Sequence, residues 1–88
     1  MLIRTYPGRS TVAASYTLNL DILRAAATLA GDIRRDGRLH LSRMSRRSGV
    51  DAGVLSRVTR RENGPSLATL GQLASAYDLT VDRLISSG

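Results

Sequence analysis

The chemistry this chain offers is cationic. All thirteen of its positive side chains are arginine, and it contains no lysine. Nine lie between residues 34 and 61: Arg34, Arg35, Arg38, Arg43, Arg46, Arg47, Arg57, Arg60 and Arg61. Only Asp36 and Asp51 oppose them there, so that segment carries +7, against +1 for residues 1–33 and −2 for residues 62–88. A guanidinium is a planar fork of donors that stays charged and fits phosphate well. Charge gathered in one stretch is what a phosphate-facing surface requires. The bland alternative is a solvated basic face, with arginine favoured by codon usage.

Other chemistries are poorly supplied. The chain has no cysteine, which rules out disulfides and thiolate metal ligands. Its one histidine, His40, cannot build a metal site or a triad alone. No nucleophile–base pair, phosphate-cradling glycine loop or metal-ligand cluster is present, so neither an enzyme nor a cofactor is expected, and no small-molecule ligand is evident. No apolar run reaches the ~20 residues that span a bilayer, and the N-terminus lacks a signal-peptide apolar segment. A cytoplasmic protein without membrane contact is therefore expected. Its 88 residues make one domain with a modest core.

The elements that must position the arginines can be read from spacing. Leu39 to Val58 reads as two short helices joined by a tight turn. Leu41, Met44 and the stem of Arg47 line one face of the first. Gly49 stands where that helix must stop, because glycine adopts the left-handed backbone without steric cost. Val50 points back to the core, and Asp51 is a strong N-cap for the second helix. Leu55 and Val58 are its buried positions, which leaves Ser56, Arg57 and Arg60 outward. This is a helix-turn-helix pattern with a basic outer face.

An earlier helix starts at Asn19 or Asp21, with Ile22, Ala26, Leu29 and Ile33 as its apolar face. Gly31 falls within it, and Arg34 and Arg35 close it. Asp36-Gly37-Arg38 turns the chain into the motif. Asn63-Gly64-Pro65 is a loop. Ser66 caps a fourth helix with Leu67, Leu70, Leu73, Ala74 and Tyr77 inward, and Thr80 caps a fifth with Val81, Leu84 and Ile85 inward. Residues 1–18 are the least legible. Two short β-leaning stretches flank Pro7-Gly8, and they could form a hairpin, an exchanged dimer strand or a disordered arm. An arm carrying Arg4 and Arg9 could reach into a minor groove. The expected division is thus an N-terminal arm over 1–18 and an all-α helical domain over 19–88.

From about Ile33 to Ile85 the chain resembles the lambda-repressor-like, or xenobiotic-response-element, helix-turn-helix family of phage and bacterial regulators. The resemblance is carried by Met44-Ser45-Arg46-Arg47-Ser48-Gly49-Val50, Leu55-Ser56-Arg57-Val58, Gly64-Pro65-Ser66-Leu67-Ala68-Thr69-Leu70, Leu73-Ala74 and Leu79-Thr80-Val81-Asp82-Arg83-Leu84-Ile85. It implies a five-helix domain that binds double-stranded operator DNA as a homodimer, with the Asp51–Arg61 helix in the major groove. Base-contacting positions then fall on Ala52, Gly53, Val54, Ser56 and Arg57. Phosphate contacts fall on His40, Leu41, Arg43, Arg60, Arg61, Asn63 and Gly64. Arg46 and Arg47 are further phosphate candidates on the first motif helix, as are Arg34, Arg35 and Arg38 before it. His40 also reads as a surface or capping residue, and Tyr77 as core.

The chain departs from the family pattern where His40 and Leu41 replace the usual Ser or Thr and Gln. Ala52 and Gly53 offer no side-chain hydrogen bond, so base readout rests on few groups. Arg57 could grip guanine O6 and N7 with two bonds, and Val54 or Ala52 could meet a thymine methyl. The expected function is a small transcriptional regulator of the phage Cro or repressor kind on a pseudo-palindromic operator. With the chain ending after the fifth predicted helix, any switch is expected to work through expression level, operator competition or a partner protein. The rival is an interaction module, an antitoxin or accessory factor that uses the fold to hold a protein partner.

Overall fold

The computed structural model describes residues 16–85, so most of the expected arm, including Arg4 and Arg9, lies outside the described residues. The described residues form five helices and no sheet: α1 (Leu20–Ala30), α2 (Leu41–Ser48), α3 (Ala52–Thr59), α4 (Leu67–Ala76) and α5 (Val81–Leu84). Each begins on a side-chain acceptor that satisfies a free backbone N–H. Asn19 accepts from Ile22, His40 from Arg43, Asp51 from Gly53 and Val54, Ser66 from Thr69, and Thr80 from Arg83. Glycines in the left-handed region close the first two helices, Gly31 at φ 80° and Gly49 at φ 78°.

The core gathers Leu23, Ala27, Met44, Val50, Leu55, Val58, Leu70, Leu73, Ala74, Tyr77 and Leu84. Leu18, expected in the arm, belongs to it at 3% exposure. It makes an antiparallel bridge with Ile85, and the next residue, Asn19, donates its N–H to the Leu84 carbonyl at 2.7 Å. The folded unit thus begins before residue 19.

The first helix differs from its sequence reading. Leu23 and Ala27 are the buried positions of α1, while Ile22 and Ala26 are half-buried and Leu29 is 92% exposed. In a helix this rich in alanine two apolar ladders run side by side, and their spacing alone does not say which turns inward. Gly31 ends α1 instead of interrupting it. Ile33 pairs with Leu39 across a tight turn, so Arg34 and Arg35 lie beyond the helix end and do not close it. In α4, Leu67 is 57% exposed and lies outside the inward set of Leu70, Leu73, Ala74 and Tyr77.

One buried carboxylate ties these elements together. Asp32, 1% exposed, accepts two bonds from Arg47 of α2, Nε at 2.7 Å and Nη2 at 3.2 Å. It also accepts the Tyr77 hydroxyl at the end of α4, at 2.6 Å. Its backbone N–H donates to Ala27 of α1 and its carbonyl accepts the N–H of His40, both at 2.8 Å. Arg47 also donates to the Ala30 carbonyl at 3.1 Å and lies over the Tyr77 ring, 5.7 Å from its centre.

The hydrogen bond from Arg47 holds the Asp32 carboxyl below its ordinary range, against the opposing effect of burial. Burial first, then the hydrogen bond to Asp32, push the Tyr77 phenol upward. A depressed carboxyl stabilises the fold above the unfolded carboxylate range and loses that contribution as pH falls through its folded value. A raised phenol contributes below the unfolded tyrosine range, about pH 10, and loses that above it. Stability should therefore fall below about pH 4 and again above about pH 10. Tyr77→Phe is expected to cost about 2 kcal/mol by removing a bond to a buried charge. Urea titration should show a lower midpoint with unchanged slope. Asp32→Asn should lower stability at neutral pH and remove most of the acid-side fall.

Candidate nucleic-acid interface

The turn between α2 and α3 is fixed by short-range bonds. Gly49 donates its N–H to the Ser45 carbonyl at 2.7 Å. Ser48 donates its hydroxyl to the Met44 carbonyl at 2.7 Å and accepts the Val50 N–H at 3.1 Å. Val50, 4% exposed, anchors the turn in the core. Asp51 Oδ2 then caps α3, accepting from Gly53 at 2.9 Å and Val54 at 3.3 Å. With Leu55 and Val58 buried, the face bearing Gly53 and Arg57 is turned outward.

Gly53 and Arg57 lie one turn apart, and helical side chains lean toward the N-terminus. The guanidinium of Arg57 accordingly extends back over Gly53. A Cβ at residue 53 would stand 3.6 Å from Arg57 Nη1 and 2.9 Å from Asp51 Oδ2. The gap that the sequence reading treats as lost readout is the space across which Arg57 lies. Ala52 and Ser56 are half-buried beside it. Val54 is half-buried and packs in part against the core.

The phosphate candidates separate into three groups. His40 caps α2 through Nδ1, 3.3 Å from the Arg43 nitrogen and 3.2 Å from Ser42 Oγ. Leu41 packs its side chain on the core, which leaves only its backbone for a phosphate. Arg43, Arg46 and Arg60 are exposed. Arg43 donates to the Gly31 carbonyl at 2.9 Å, and Arg60 pairs with Glu62 at 3.3 Å, both in solvent where such contacts exchange readily. Arg47 binds Asp32 at 2.7 Å, and its side chain remains 41% exposed.

The expected Asp51–Arg61 helix ends at Thr59, with Arg60 as its C-cap. Arg61 takes the left-handed backbone at φ 62° and sends Nη1 to the Leu18 carbonyl at 3.4 Å, away from the outer face of α3. Asn63 and Gly64 are exposed in the loop that follows.

One arginine was missed. Arg24 on α1 donates to the Gly37 carbonyl of the 34–38 turn at 2.8 Å. With Arg34, Arg38 and Arg60 it rims a groove beside His40 and Ser56. Asp36 sits within that turn, accepting the Arg38 N–H at 3.0 Å, and this bond lowers its carboxyl pKa. Only the helical spacing of Leu20 and Arg24 hinted at this side of α1.

No group of three metal-binding side chains occurs among the described residues, and none of their helices is long and apolar enough to cross a membrane. Asp51→Ala should lower stability by about 1 kcal/mol through loss of the α3 cap, read as a lower melting temperature with the far-ultraviolet helical signal kept below it. No family model matches the chain, and no curated protein or solved structure matches it.

Proposed function

We propose that the chain is a sequence-specific double-stranded DNA-binding regulator with a lambda-repressor-like fold, of the Cro or repressor kind. In this reading α3 enters the major groove and two copies bind a pseudo-palindromic operator. One observation carries it. A short, capped helix, set by the Gly49 turn, presents Arg57 over the bare backbone of Gly53, beside the exposed Arg43, Arg46 and Arg60.

The roles divide by chemistry. Arg57 reads a base, because its fork matches guanine O6 and N7. Gly53 lets the helix backbone lie close to the base edges. Arg43 and Arg60, with the first backbone N–H groups of α2, hold phosphates, whose attraction to arginine is independent of sequence. Repression follows from occluding a promoter. The rival reading, an accessory module that holds a protein partner, draws on the exposed Leu29 side of α1. Tight capture of one protein, with weak duplex binding in its absence, would favour it.

Selection from a random duplex pool at physiological salt tests the proposal. Two matched half-sites about one helical turn apart are expected; salt-sensitive retention with no enriched sequence would count against it. Arg57→Ala should remove roughly 1–3 kcal/mol of discrimination at one position in each half-site. Equal weakening on every duplex would sink the base-reading role. Arg60→Ala should weaken all duplexes alike and flatten the salt slope by about one unit.

A further inference from the structure

One flank of α1 is only partly covered by the rest of the fold: Ile22 and Ala26 are half-buried against the core, and Ala25 is exposed beside them. Ile22, Ala25, Ala26 and Leu29 lie along it, and Leu29 is 92% exposed. They border a groove whose other wall is Ala76 and Leu79, with Asp78 and Arg83 at its rim. We propose that this face is a self-association surface, on which α1 packs antiparallel against α1 of a second copy about a two-fold axis.

Three observations favour a second copy. The first is spacing: residues 22, 25 or 26, and 29 repeat at three and four, the seam of paired helices. In an antiparallel pair Leu29 lies near the partner's Ile22, and the alanines fall at the crossing, where small side chains permit close approach. The second is charge. An isologous contact needs a patch complementary to itself. Asp78 and Arg83 have opposite signs, and neither has an ion pair among the described residues. Pairing by the arginine-rich α2–α3 side would set like charges together. Residues 1–15 carry Arg4 and Arg9 as their only charged side chains, so they could answer Asp78 but not Arg83, whereas a second copy answers both. The third is position. Leu20 and Arg24 lie on the other side of α1, so the basic groove stays open when this face is covered.

The inference gives the dimer of the proposed function a surface, yet its test needs no DNA, so either can fail alone. Sedimentation equilibrium of the full chain should show a concentration-dependent dimer. Leu29→Asp should weaken self-association at least tenfold and leave the melting temperature of the dilute monomer unchanged, because the side chain touches little of its own fold. Ala25→Cys, in a chain with no other cysteine, should form a disulfide-linked dimer under mild oxidation. A wild-type chain that stays monomeric at high concentration, or a dimer indifferent to Leu29→Asp, would overturn the proposal. So would a disulfide from Arg46→Cys with none from Ala25→Cys.

Discussion

A carboxylate taken out of water must find its solvation inside the protein, and Asp32 does so through three hydrogen bonds from two side chains. Arg47 binds both of its oxygens, and Tyr77 shares one of them. Such a group is costly to bury alone and tolerable when each lone pair is occupied. The requirement becomes a geometric constraint. The end of α1, the last turns of α2 and the C-cap of α4 must stand at fixed distances around one carboxyl, or the charge is stranded. The apolar core is less exacting, since Leu and Ala contacts accept small shifts that a bidentate ion pair does not. Because Gly49 and Asp51 join α3 to α2 by a short rigid turn, the orientation of the basic helix descends from that buried contact.

Much of the fold was legible because its signals are local. Asn19, Asp51, Ser66 and Thr80 act on N–H groups two or three residues ahead, so sequence distance and spatial distance coincide. Gly49 could be read for the same reason. The Asp32 network could not, because Arg47 and Tyr77 lie 15 and 45 residues away along the chain, and no periodicity announces a polar contact of that range. The inward side of α1 was misread for another reason. Alanine fills both candidate ladders, and the choice was made by what the rest of the fold, α5 included, offered to pack against.

The same division runs through the candidate interface. Leu55 and Val58 identified the buried side of α3, and its outward residues followed by exclusion. What spacing could not show was which side chains also make contacts within the fold: Val54 leans on the core, Arg47 binds Asp32 and Arg61 reaches a backbone carbonyl. All nine arginines between residues 34 and 61 stay exposed, but Arg47 and Arg61 also serve contacts within the fold. Gly53 gains a reason that its type alone did not supply, since a missing side chain in one turn is what the next turn's arginine lies across.

The bridge between Leu18 and Ile85 closes the described chain into a ring. Its first and last strand-like residues are neighbours, so the path through five helices returns to where it began. Whatever precedes residue 16 and whatever follows residue 85 must leave from one place, and Arg61 fastens that place to the trailing end of α3. A short covalent link across the two ends, with new termini cut in the exposed loop at Asn63 and Gly64, would preserve every helix and its neighbours. Topologically, this fold has no privileged starting point.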